Sequence, residues 1–286
     1  ISASGQDITL DEAASTFGTL ALTGANVAVT ENAATDLGAS TVGGTLGITS
    51  AGAVTDSGTL AITGATTISA SGQDITLDEA ASTFGTLALT GSNVAVTENA
   101  AMDLGASTIG GTANFNSTSN VITDSGTLAI TGATTINAGT ADITLDQAAS
   151  TFGALALTGA NVAVTENAAT DLAASTVSGT LGVTSTGAVT DSGTLAITGA
   201  TTISASGQDI TLDEAASTFG TLALTGANVA VTENAATDLG ASTVSGTFGI
   251  TSGGAITDSG TQTITGAATF TNTAGTNDAI TLDDAS

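Results

Sequence analysis

The chemistry open to this chain is that of carboxylates. Its 286 residues include 26 Asp and Glu and no Lys, Arg, His, Cys, Pro, Tyr or Trp. A serine nucleophile needs a neighbouring base. Ser57, in Asp56-Ser57-Gly58 and in the copies that start at Asp124, Asp191 and Asp258, has no His, Lys or Cys to activate it. These segments read as turns, Asp capping nearby backbone donors and Gly taking a left-handed corner. Two carboxylate chemistries remain, glycoside hydrolysis by an acid pair and capture of a hard cation. The densest acidic stretch is Asp7-Ile8-Thr9-Leu10-Asp11-Glu12. If Ile8 and Leu10 point inward, Asp7 and Asp11 lie on the outer face about 13 Å apart, too far to share one ion or one scissile bond. Glu12 follows Asp11 at a corner. The pair Asp11 and Glu12, with its copies Asp78 and Glu79, and Asp213 and Glu214, is therefore the candidate calcium site, corner carbonyls supplying the other oxygens. No EF-hand loop and no Gly-Gly-x-Gly-x-Asp nonapeptide accompanies them. Six acidic positions recur per copy (Asp7, Asp11, Glu12, Glu31, Asp36 and Asp56). They are expected to be solvated charges that keep the molecule soluble. Every one is repeated, whereas catalysis needs one special place, so the expectation is no catalytic residue, no enzyme and no cofactor other than calcium.

The elements that carry these residues are short strands. TLALT (Thr19–Thr23), NVAVT (Asn26–Thr30), TLGIT (Thr45–Thr49) and TLAIT (Thr59–Thr63) alternate apolar with small or polar residues. That is the period of a half-buried strand. Gly, Ser, Asn and Asp between them make tight corners. No 3.6-residue stripe supports a helix.

The strands recur on a long period. ISASGQDITLDEAASTFGTLALTG stands at Ile1–Gly24, Ile68–Gly91 and Ile203–Gly226; a diverged copy starts at Ile136 and a fifth at Phe270. Near-identical copies at this spacing are the mark of a repeat architecture. The expected fold is all-β, a parallel β-solenoid (β-helix) built from 67-residue repeats of about three coils each. It is read as one continuous solenoid over 1–286, with repeats 1–67, 68–135, 136–202 and 203–269 and a partial repeat 270–286. Both ends fall mid-pattern, so the chain reads as part of a longer repetitive protein. The coils are Thr19–Gly38, Ala39–Gly58 and Thr59–Gly85, the third longer, with either a short bulging insertion or one longer face. The absence of Pro suits a ladder that uses every backbone N–H. An array of immunoglobulin-like sandwiches would need about 100 residues per domain and an aromatic core. A leucine-rich horseshoe would need helical segments. The middle coil varies most: Thr108–Gly126 is one residue longer than Thr41–Gly58.

Charge bounds the partners. With no cationic side chain the chain cannot neutralise phosphates, which argues against nucleic acid. No apolar run reaches the roughly 18 residues of a membrane span, so no membrane insertion is expected. Divalent cations should gather as counterions. Flat Thr, Ala and Gly strips offer surfaces for glycans, ice or another rod, and open strand edges favour self-association end to end or side by side.

TLALTGANVAVTENAATDLG and TLAITGATTISASGQDITLD resemble the coils of repetitive shafts in large secreted bacterial adhesins of the filamentous-haemagglutinin-like kind. The resemblance covers the whole chain and is one of style. It implies an exported β-helical rod at the bacterial surface or outside the cell, working in adhesion, biofilm or sheath building. The alternative is a ligand-binding solenoid for calcium, polysaccharide or ice, and behind it a carbohydrate-active enzyme.

Overall fold

The computed structural model describes residues 1–274 and 278–283, so part of the partial repeat 270–286 lies outside the described residues. The chain forms two compact units. The first comprises Ile1–Ala141 and Ala149–Phe152, the second Asp142–Ala148 and Gly153–Ser286. Each is a parallel β-solenoid, and no helix occurs among the described residues. None is therefore long and apolar enough to cross a membrane.

In the first unit Ile8 pairs with Val27, Val27 with Leu46, Leu46 with Thr66 and Thr66 with Leu87, all parallel. Each step is one turn of the coil. Inward residues alternate along every strand: in Val27–Glu31 residues 27, 29 and 31 are buried, and in Leu46–Ser50 residues 46, 48 and 50 are. Branched aliphatic side chains fit this narrow interior, where Leu37, Val54, Ile75, Leu77 and Leu87 are fully enclosed.

The three-coil reading of the repeat holds with a remainder. Three turns carry Ile8 to Thr66, but its copy Ile75 lies part-way round the next turn. Ile75 pairs with Val54 below and Val94 above, on a different side from Ile8. The sides are unlike. One carries a single straight strand per turn, such as Val27–Glu31; the other carries two short ones, Thr35–Leu37 and Ser40–Val42, with a bend at Ala39. Strand Thr86–Gly91 is where they exchange. One of its edges pairs with the straight strand Thr66–Ser69, the other with the two short strands Met102–Leu104 and Ser107–Ile109. The second unit does the same: Thr221–Gly226 pairs with Thr201–Ser204 on one edge and with Thr237–Leu239 and Ser242–Val244 on the other. The long stretch Thr59–Gly85 thus runs past one circuit. Its extra residues leave as two outward turns, Gln73 N–H donating to Ala70 C=O at 2.8 Å, and Ser82 N–H to Glu79 C=O at 2.8 Å.

Two details of the Asp-Ser-Gly corners differ from the sequence expectation. Gly58 is not left-handed; the positive-φ glycines are Gly5, Gly72, Gly139 and Gly207. Gly58 is needed because a Cβ there would stand 2.4 Å from the backbone nitrogen of Ala39 in the preceding coil. Asp56 also caps no local donor. It accepts the N–H of Asp78, one coil further on, at 2.9 Å.

Candidate functional site

The acidic positions fall into distinct environments set by strand parity and corner geometry. The candidate calcium ligands sit outermost. Asp11 and Glu12 are exposed, as are Asp78 and Asp213, while Glu79 and Glu214 are half-buried. In the two inner copies the backbone, rather than the side chains, is anchored: the N–H groups of Asp78 and Asp213 donate to Asp56 and Asp191 at 2.9 and 2.8 Å, and that of Glu214 to Asp191 at 3.4 Å. Among the described residues no three His, Cys, Asp or Glu side chains gather into a group that would hold a metal ion. Burial raises the pKa of Asp56 and of Asp191, opposed by these N–H donors.

A second set forms ladders along the outer surface. Asp36 accepts from the hydroxyls of Thr19 and Ser57 at 2.6 and 2.9 Å, and Asp103 from Thr86 and Ser125 at 2.7 and 2.8 Å. In the second unit Asp238 does the same with Thr221 and Ser259, both at 2.8 Å. The serine of each Asp-Ser-Gly segment therefore works as a donor to a carboxylate in the preceding coil. A further ladder joins Asp7, Asn26 and Thr45: Asn26 Nδ2 donates to Asp7 at 2.9 Å, and the N–H of Thr45 donates to Asn26 Oδ1 at 3.0 Å. It recurs at Asp74–Asn93–Thr112, Asp142–Asn161–Thr180 and Asp209–Asn228–Thr247.

The third set corrects the expectation that all recurrent acids are solvated. Glu31, Glu98, Glu166 and Glu233 point into the core and are at most 2% exposed. Glu98 accepts the N–H of Phe84 at 2.9 Å and Glu233 that of Phe219 at 3.1 Å; Glu31 accepts that of Phe17 at 2.5 Å. The second oxygen of Glu31, of Glu98 and of Glu233 is enclosed without a hydrogen-bond partner. Desolvation pushes the Glu98 carboxyl up to about 8 and that of Glu233 to about 7, the Phe84 amide opposing it at Glu98, and Thr237 and the Phe219 amide at Glu233. The signal was present in the alternation. In Val94-Ala95-Val96-Thr97-Glu98 the glutamate shares the parity of the two valines and must face inward with them.

An open depression of about 460 Å³ lies in the first unit. It is lined by Ser4, Gly5, Thr23, Asn26, Thr41 and the Gly43–Gly44 pair, among others.

Parallel stacking, inward aliphatics and polar ladders that recur along the chain define a repetitive β-solenoid protein. The repeats match a family model along most of the chain, at residues 24–90, 91–158, 159–225 and 226–286. The chain belongs to that family, described as repeats of unknown function (DUF5649). No curated protein and no solved structure matches it.

Proposed function

We propose that this chain is a non-catalytic structural segment of an extracellular or cell-surface filament, sheath or adhesin shaft of a bacterium. The observation that carries the reading is the reuse of polar groups. The Asp-Asn-Thr and Thr-Asp-Ser contacts and the interior serines link one coil to the next, and each recurs from copy to copy. Side chains committed to stacking supply stiffness, since stability in such a stack grows with each neighbour interface. Outward carboxylates without cationic partners supply solubility and a response to divalent counterions. Self-association end to end or side by side is part of the proposal.

The test is electron microscopy of the native assembly with image power spectra. Long thin fibres with a meridional line near ~4.8 Å support the reading, and isolated beads without that line overturn it. Cleavage of any glycan by the purified protein would equally sink the non-catalytic assignment.

A second reading, a polysaccharide-binding solenoid, draws on the depression at Ser4, Thr23 and Thr41, whose hydroxyls stand among glycines. Glycan-array binding lost on Thr23→Val and Thr41→Val would favour it over the shaft.

A further inference from the structure

The interior glutamates have no part in the shaft proposed above. They are buried in a chain that has no cationic side chain to pair with them. Glu98 lies at the end of strand Val94–Thr97, which is stacked between Ile75–Leu77 and Ala113–Asn116. Its single side-chain hydrogen bond reaches across to Phe84, the last residue of the outward loop Asp78–Phe84. Glu233 repeats the arrangement in the second unit, ending a strand stacked between Ile210–Leu212 and Phe248–Ser252 and bonding to Phe219 at the end of Asp213–Phe219. The same loops are tied down elsewhere by neutral groups alone. Ser82 Oγ accepts the N–H of Leu60 and Ser217 Oγ that of Leu195, and Asn99 and Asn234 donate their N–H groups to the carbonyls of Ser82 and Ser217.

We propose that Glu98 and Glu233 are proton-held latches on the loops Asp78–Phe84 and Asp213–Phe219: each loop is closed while its carboxyl is protonated and opens when the carboxyl ionises. Ionisation sends the proton to solvent and leaves a charge in an enclosed site with no counter-charge, facing one amide donor at Glu98 and an amide donor with the Thr237 hydroxyl beside it at Glu233. Such a charge is relieved only by water, and the loop is the covering element, held to the coil below by the isolated bridge Thr83–Ala61 or Thr218–Ala196 rather than by a full strand. The groups packed around each glutamate give no relief. Strands Ile75–Leu77 and Ala113–Asn116 carry no titratable residue, and neither does Ser82–Phe84. Asp78 and Glu79 continue from the strand below, and Asp103 lies outside on Thr86. Around Glu233 the corresponding groups are Asp213, Glu214 and Asp238, the last on Thr221, with the Thr237 hydroxyl as a neutral neighbour. All the charges among them are negative and disfavour a second anion. The raised pKa values place the opening near neutral to mildly alkaline pH, above the range in which exposed carboxylates titrate.

Two measurements on the whole chain test this. In carboxyl-13C-glutamate-labelled protein the resonances that Glu98→Gln and Glu233→Gln remove are expected to titrate near neutrality; if those resonances titrate between about pH 4 and 5, the latch does not exist. Hydrogen exchange of the Ser82–Phe84 and Ser217–Phe219 amides is expected to accelerate by up to about tenfold per pH unit beyond base catalysis while the carboxyl titrates. Glu98→Gln and Glu233→Gln retain an acceptor for the phenylalanine N–H and cannot ionise, so each is expected to remove that excess at its own loop only. Equal pH dependence in variant and parent overturns the proposal.

Discussion

Glu98 and Asp103 are close neighbours in the chain and meet different solvents. Glu98 faces the core, with one amide donor and no counter-charge. Asp103 faces outward, and two hydroxyls from the coils before and after hold it. Parity along the strand makes the whole difference. A carboxylate on the outer face becomes a rung that joins three coils. The same group one pleat out of phase becomes a buried acid whose protonation state is coupled to folding. In a chain without cationic side chains nothing but position distinguishes the two.

The strongest way to break this comparison is to force a charge across the face. Val96→Asp puts a second carboxylate beside Glu98 in the core, where Val96 is 2% exposed. It is expected to cost about 3–5 kcal/mol as an uncompensated buried charge. Ala95→Asp, of opposite parity, is expected to stay within about 0.5 kcal/mol. Urea melts compare them, and equal losses would mean that parity does not control the cost.

The next effect is titration. The Glu98 carboxyl in the folded chain stands at about 8 against an ordinary 4.5. The raised value means that the fold holds the proton more tightly than the unfolded chain does. Its stabilising contribution is complete below about 4.5, declines as pH rises, and is gone once pH has passed about 8. The slope in that window is up to about 1.4 kcal/mol per pH unit for each such group. Glu98→Gln is expected to flatten the profile of unfolding free energy against pH and to raise stability at pH 8. A parallel, unshifted profile would count against the buried charge as its cause.

The outer rung is worth less. Asp103→Ala frees two hydroxyls that water can reach, and a loss of about 0.5–1 kcal/mol is expected by the same melts. The third repeat has already lost part of its rung, since Ala154 stands where Thr19, Thr86 and Thr221 stand in the others. Ala154→Thr is accordingly expected to add a few tenths of a kcal/mol by restoring a donor to Asp171.

The smallest effect belongs to the outermost acids. Asp78→Asn with Glu79→Gln leaves the anchoring N–H groups in place and is expected to change stability by less than about 0.5 kcal/mol. The melting midpoint is expected to be the same in calcium as in chelator. A calcium-dependent rise that this double variant abolishes would restore these corners as a metal site.

Much of this was legible in the residues. Alternation in Thr19–Thr23 and Asn26–Thr30 gave the strands, and copy spacing gave the solenoid. The same alternation carried through Thr97 points Glu98 inward, but acidity argues for an outward charge, and the structure overturns that expectation. What alternation could not reveal is contact between coils. Asp56 looks like a local cap and serves a donor one turn away. The longer middle coil was visible, but not what tolerates it. Thr118 and Ser119 take positive φ of 47° and 75°, and Gly139 in the next coil lies over them. A Cβ on Gly139 would fall 2.4 Å from Ser119 Oγ, so the glycine that other copies hold one position later, as Gly72, is drawn back to meet the insertion.

The exchange of straight and bent sides at Thr86–Gly91 and Thr221–Gly226 makes the stack sensitive to odd and even. Gain or loss of one copy by recombination transfers every later copy within a stack to the opposite side, so that a stretch once presented to a partner is turned away from it. Gain or loss of two copies restores the presentation and alters only the reach. A change by two copies therefore keeps the side on which later copies stand, while a single step reverses it.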